Sequence, residues 1–272
     1  MSVFFSYVFF FVVYSFFGWI TESIYCSFKE KKLSNRGFLT GPFCPIYAVG
    51  ALAIVLVLGY LPKNFLIIFF FGMLITTAIE YLTGYLLEIL FDTKWWDYSD
   101  IRFNFQGRIC LENSLFFGVM SLLLIFFIQP ALVRTVDIIP SIVLQVFAIV
   151  FLMYFAIDFT LTVWSVIRLN KRLEKINSIA LSIKEKLDTY GYNITSGIIE
   201  RLDKLFEAKE RDDENPVLKS IESLFYRIKN IQLDNKILEV RLIKAFPHMK
   251  SKKYPEHLNG IKKQLLNFRH KN

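Results

Sequence analysis

Residues 64–91 read NFLIIFFFGMLITTAIEYLTGYLLEILF. No lysine, arginine or proline interrupts the run, and about 20 apolar residues are enough for a helix to cross a bilayer core. Its apolar character extends all the way round, unlike the one-sided stripe of a soluble surface helix. Thr76, Glu80, Gly84 and Glu88 recur every four residues, so on a helix they form one slowly drifting stripe. An unpaired charge at mid-span costs at least about 2.5–3.5 kcal/mol, so this stripe is expected to face protein or water rather than lipid. Gly84 is expected to admit a close helix neighbour between the two carboxylates. The stretch decides the fold class: helical, and in a membrane.

Working outward, four more stretches qualify as crossings: 3–25, 45–61, 109–129 and 140–168. The first has no basic leading region and no small-residue cleavage site after it, so it reads as a span and not as a signal peptide. The expected fold is therefore an all-α, polytopic membrane helix bundle of five transmembrane helices. The composition agrees once it is divided. Of 272 residues 54% are hydrophobic and 29 are Phe, yet the formal net charge is +8. Residues 1–168 hold 25 of the Phe, all four Trp, and ten basic against ten acidic residues. Residues 169–272 hold 22 basic against 14 acidic residues, which is the whole surplus. The expected domains are a transmembrane domain, 1–168, and a cytoplasmic helical tail, 169–272.

Basic residues in loops set orientation, because cytoplasmic loops retain Lys and Arg. The first connector carries Lys29, Lys31, Lys32 and Arg36, and the third carries Lys94, Arg102 and Arg108. The second has only Lys63 and the fourth only Arg134, while the basic tail begins at Arg168. The alternation predicts the N-terminus outside and the tail inside. Glu80 and Asp158 then lie about ten residues from a cytoplasmic end, roughly 15 Å deep at 1.5 Å per residue. Glu22, Glu88 and Glu112 fall within a turn or so of the inner interface. For Glu22 and Glu112 simple snorkelling fits equally well, whereas Glu80 and Glu88 point to a polar site inside the bundle.

The two inner connectors are neither short nor simply polar. The first reads NRGFLTGPFCPIY, Asn35 to Tyr47. Gly37, Gly41, Pro42 and Pro45 oppose a helix there, and Phe38, Leu39, Phe43 and Tyr47 supply apolar anchors. A re-entrant or interface-packed loop fits, with Arg36 at its base. The third reads WWDYSDIRFNFQGRICLENS, Trp95 to Ser114. An interfacial aromatic belt accounts for Trp95 and Trp96. It does not account for the mixture of Asp97, Tyr98, Asp100, Arg102, Asn104, Gly107 and Arg108 beside them.

The ordered set GWITES, NRGFLTGPFCPIY, EYLTGYLLE and WWDYS…FN…GRICL resembles the bacterial ABC-transporter permease family of the type IV, CmpB-like group, over about residues 5–165. The resemblance implies a membrane permease component whose ATPase is a separate protein, located in the bacterial cytoplasmic membrane as a multi-pass protein. The carried-over positions include Gly18, Trp19, Glu22, Asn35, Arg36, Gly37, Gly41, Pro42, Pro45, Tyr47, Glu80, Glu88, Trp95, Trp96, Asp97, Tyr98, Asn104, Gly107, Arg108 and Leu111. No GxxxxGK[ST] stretch exists in this sequence, so a Walker-type ATP loop belongs to the partner.

In the tail, Leu169, Leu173, Ile176, Ala180, Ile183 and Leu187 step by four and three, a coiled-coil seam continuing the last span. Tyr190 to Asn193 interrupts it, and a short helix around Ile198, Leu202 and Leu205 ends at DDENP. A longer seam from Val217 to Ala245 carries Asn235 at a core position and stops at Pro247, and a final helix runs through Leu258, Ile261, Leu265 and Phe268. Lys and Glu interleave as on solvated helix faces, so nucleic acid is not the expected partner. Self-association, a docked protein and the anionic inner leaflet are. Cys26, Cys44 and Cys110 match no metal spacing, and all three His lie in the tail. No catalytic set, metal or cofactor is expected, and an intramembrane enzyme ranks last. The leading expectation is a permease that works as a homo-oligomer among membrane lipids with a separate ATPase. Its substrate would meet a polar cavity lined by Glu22, Glu80, Glu88 and Glu112, balanced by Arg36 and Arg108. The rival is a membrane scaffold or signalling protein whose tail recruits a partner.

Overall fold

The computed structural model describes residues 2–30, 36–189, 202, 216–234 and 237–269. Asn35, the interruption at Tyr190 to Asn193, the short helix around Ile198, the DDENP turn and Asn235 lie outside the described residues. The chain forms two compact units, one of residues 1–164 with 244–249, the other of residues 165–243 with 250–272.

The first unit is helical, as its apolar runs require. Helix α1 spans Ser2–Glu30, α2 Pro45–Leu58, α3 Phe65–Phe91, α4 Leu111–Leu123 and α5 Gln129–Ile138, and α6 begins at Ser141. Asn64 caps α3, its side-chain oxygen accepting from the N–H groups of Leu66 and Ile67. The left-handed Asp92 closes the other end. Phe10 and Tyr14 of α1 pack with Ala48, Ile54 and Leu58 of α2, Ile68 of α3, and Leu124 and Ile125. Val8 and Val12, on another face of α1, pack with Ala148 and Phe151 of α6. Small residues bring α3 and α4 together: Thr77 donates to Ser114 at 2.9 Å, and the buried Gly72 lies directly against Ser121.

Four helices are long and apolar enough to cross a membrane: 3–28, 65–91, 111–138 and 141–189. The predicted span 45–61 is represented by the 14-residue α2, about 21 Å at 1.5 Å per residue. The predicted span 109–129 extends to Ile138, because Leu124–Ile128 form one π-helical turn that joins α4 to α5. Pro130 has no N–H to return to the preceding turn, so the helix widens there instead of breaking. Arg134 accordingly lies on α5 and not in a loop, and Pro140 ends the rod. Phe4, Leu66, Phe70, Leu90, Phe127 and Ile149 project outward, a surface that suits lipid and not water.

In the second unit α6 continues unbroken to Thr189, and its predicted seam is buried: Leu169, Leu173, Ile176, Ala180, Ile183 and Leu187. Helix Pro216–Leu233 runs antiparallel beside it, Arg172 meeting Ile231 and Lys186 meeting Ser220. The predicted single helix from Val217 to Ala245 is two, Pro216–Leu233 and Ile237–Ala245. Arg172 explains the break. Its guanidinium donates to the carbonyls of Ile231 at 2.8 Å and Gln232 at 2.9 Å, satisfying a helix end, and to Glu239 Oε2 at 2.6 Å in the next helix. The last helix, Pro255–Arg269, buries Leu258 and Ile261.

Candidate functional site

The first connector runs alongside α1. The Cys44 N–H donates to the Ser15 carbonyl at 2.9 Å, although α1 continues fifteen residues further to Glu30, about 22 Å of helix. The turn inside the connector is tight, Phe43 N–H donating to Gly41 O at 2.8 Å, and Leu39 is fully buried. Phe38 packs among Phe91, Trp95 and Phe159.

Asp158 of α6 holds this loop. Its two carboxylate oxygens accept the backbone N–H groups of Thr40 and Gly41, each at 2.9 Å, and Tyr154 donates to it at 3.3 Å. Proximity is essential at Gly41, where a Cβ would strike the Tyr154 hydroxyl. Asp158 is buried on α6; its partners were not legible in the sequence. Pro42 caps the outside of the same turn and is exposed.

The third connector folds into a hairpin in which Asn104 pairs with Cys110 and Phe105 with Ile109. Gln106 and Gly107 both have positive φ, and Arg108 N–H donates to Phe105 O at 3.1 Å, the mirror-image turn that suits strand twist. A Cβ at Gly107 would also crowd Ser99, Asp97 and Lys94. Asn104 ties the loop internally, donating to Ile101 O at 2.7 Å and accepting from Gly107 N–H at 3.0 Å. Asp97 accepts from Lys94 at 2.9 Å and from the Ser99 hydroxyl at 2.6 Å. Trp96 donates to Arg108 O at 2.9 Å, and its ring lies on Gly84. The neighbour that Gly84 admits is thus this ring, not another helix.

The six predicted ionic residues divide into two groups. Glu88 and Arg108 pair with each other: Arg108 Nε and Nη2 reach Glu88 Oε2 at 3.0 and 2.7 Å. The guanidinium also stands 5.6 Å from the Tyr81 ring and 5.5 Å from the Tyr85 ring. This pair lies outside the cavity and corrects its predicted lining: Arg108 docks the hairpin on α3 instead. Glu22, Glu80, Glu112 and Arg36 do line one cavity of about 490 Å³, with Gly37, Pro45, Tyr47, Trp95, Trp96 and Tyr98 from the two connectors. Gly41, Pro42, Asp97, Asn104 and Gly107 are outside that lining and shape the loops.

Within the cavity, Tyr47 donates to Glu22 Oε2 at 2.6 Å. Tyr98 donates to Glu80 Oε1 at 3.1 Å, and Asn113 faces the same carboxyl group without reaching hydrogen-bond geometry. Burial first, and then the charges of Glu80 and Glu22, hold the Tyr98 phenol above its ordinary range, so it remains a donor. Glu80 is 6% exposed, and its Oε2 has no hydrogen-bond partner among the described residues. Glu112 lies in the first turn of α4, where a carboxylate complements the helix dipole, and its side chain is exposed to the cavity. Among the described residues no group of three His, Cys, Asp or Glu side chains converges as a metal site.

A family model described as Putative ABC-transporter type IV matches residues 9–163. No curated protein and no solved structure matches the chain.

Proposed function

The chain belongs to the Putative ABC-transporter type IV family, and from that premise we propose that it is the permease subunit of a transporter whose ATPase is a separate polypeptide. The observation that carries this reading is the cavity. Three carboxyl groups stand around about 490 Å³ of open space, and intramembrane ionisable residues that face a cavity mark substrate paths. Glu22, Glu80, Glu112 and Arg36 are its acidic and basic side chains, and the two connectors supply part of its wall. No catalytic step is assigned to the chain itself.

The proposed topology keeps the N-terminus outside and the tail inside. The re-entrant connector and α2 together make one crossing, so the short helix does not change the count of five. The connectors and the tail then face the cytoplasm, where a separate ATPase docks, and the anionic inner leaflet meets the basic tail. The proposed setting is the bacterial cytoplasmic membrane, and the proposed assembly is a homo-oligomer, with the tail acting as a coiled-coil-like helical module.

Purification of the intact complex in mild detergent tests the reading. An ATPase subunit is expected to accompany the chain, and Glu80→Gln is expected to abolish uptake or dependent growth with membrane abundance unchanged. Recovery of signalling or scaffold partners without an ATPase, together with full growth of Glu80→Gln cells, would favour a scaffold instead.

A further inference from the structure

We propose that the cavity takes a bulky organic cation with an apolar body, held by Glu80. This rests on the permease reading and names the substrate class of the same site. Three observations converge on it. Among the described lining residues three are carboxylic acids, Glu22, Glu80 and Glu112, and one, Arg36, is basic. The two other predicted ionic residues, Glu88 and Arg108, neutralise each other elsewhere. The site therefore offers more acceptors for positive charge than donors for negative charge.

Glu80 supplies the anchor. It is buried, Tyr98 fixes its Oε1, and its Oε2 is left without a hydrogen-bond partner while its side chain lines the cavity. A buried carboxylate oxygen held without a partner is costly, and a cationic group beside it would offset that cost.

The remaining wall selects the body of the ligand. Aromatic side chains line the same cavity as the carboxyl groups, among them Tyr14, Tyr47, Trp95, Trp96, Phe116 and Phe155. Ring faces attract cations and bury apolar groups together. The volume, about 490 Å³, lies within the roughly 300–1,000 Å³ of small-molecule sites. The carboxyl groups stand apart around this space rather than converging, so a compact metal ion lacks a ligand set among the described residues.

Two probes of nearly the same shape and opposite charge make the test: tetraphenylphosphonium and tetraphenylborate. Binding of each is measured to the full chain in lipid nanodiscs, with empty nanodiscs as the correction for partition. Saturable phosphonium binding is expected, with the borate neither binding saturably nor competing. Glu80→Gln should weaken phosphonium binding about tenfold or more, as expected for losing a charge partner in an aromatic-lined site, and Glu80→Asp should recover part of it. Equal or tighter borate binding overturns the proposal on the wild-type protein alone, whatever the variants do. So does unchanged phosphonium binding in a folded Glu80→Gln protein. The assay uses neither ATP nor a partner, so absence of an ATPase would defeat the permease reading without touching this result. Uptake of an anion through the same cavity would defeat the cation proposal and leave the permease reading standing.

Discussion

Asp158 accepts the backbone N–H of Gly41 at 2.9 Å across 117 positions of sequence, and its second oxygen takes the adjacent N–H of Thr40. One carboxylate thus satisfies two amides of a loop that has left regular structure, which matters most where no water can do so.

Asp158→Asn keeps the size but offers one acceptor oxygen and turns an NH2 toward the other amide. Leaving one buried N–H unsatisfied is expected to cost about 1–3 kcal/mol. Thermal unfolding in mild detergent should show a drop of several degrees, with increased protease cleavage in the first connector. Gly41→Ala should be comparably harmful because the new Cβ meets the Tyr154 hydroxyl, and adding Tyr154→Phe should restore part of the loss.

The Arg108–Glu88 pair is buried enough to matter, with side-chain exposures of 13% and 6%. Glu88→Gln leaves a guanidinium without its counter-charge, and breaking such a buried pair costs about 3–5 kcal/mol. Arg108→Lys is expected to fall short too, since an ammonium cannot make the forked contact or lie flat near Tyr81 and Tyr85. The double change Glu88→Leu with Arg108→Met should be less destabilising than either single change, read as the coupling in a thermal-unfolding cycle.

Gly107 tests whether the hairpin is needed for the cavity. Its φ is 65° and a Cβ there would press on Asp97 and Lys94. Gly107→Ala is expected to disturb the hairpin, release Tyr98 from Glu80 and weaken phosphonium binding while α3 stays helical. Unaltered binding in the variant would separate the hairpin from the site.

Lys262 in the tail gives a pH prediction. Burial, and secondarily Lys250, lowers its ammonium from 10.5 to about 8. The unfolded chain therefore holds the proton more tightly, so folding carries the full penalty below about pH 8 and sheds it as pH rises toward 10.5. Lys262→Met should melt higher than wild type at pH 7, and the difference should shrink across that window. A constant difference would mean that the charge is not its source.

Glu80 and Glu88 show how far the sequence could be read. Their separation of eight residues, two steps of four, correctly puts both on a protein-facing stripe, and both are buried, because helix periodicity is local. What each one meets is not local. Arg108 reaches Glu88, and Tyr98 reaches Glu80, only because a hairpin folds back on α3, and spacing along the chain carries no record of that. Asp158 has the same history: its place within an apolar run could be read by counting residues, but its amide partners came from another part of the chain. The seam from Leu169 to Leu187 was legible for the reason the stripe was. Arg172 was not, since its role is to close a helix end some sixty positions away.

The π turn at Leu124–Ile128 has a consequence for comparing sequences. It holds one residue more than a regular turn would, and the wider turn absorbs that surplus before Gln129, which accepts from Tyr14 of α1. Deleting any one of those five residues would regularise the rod and leave its far end facing nearly as it does now, because five residues of the wider turn rotate about as far as four of a regular α-helix. Hydropathy would hardly change, so an alignment could carry a one-residue gap inside this membrane helix with no compositional trace, and both sides of the gap would keep the faces they present to their neighbours.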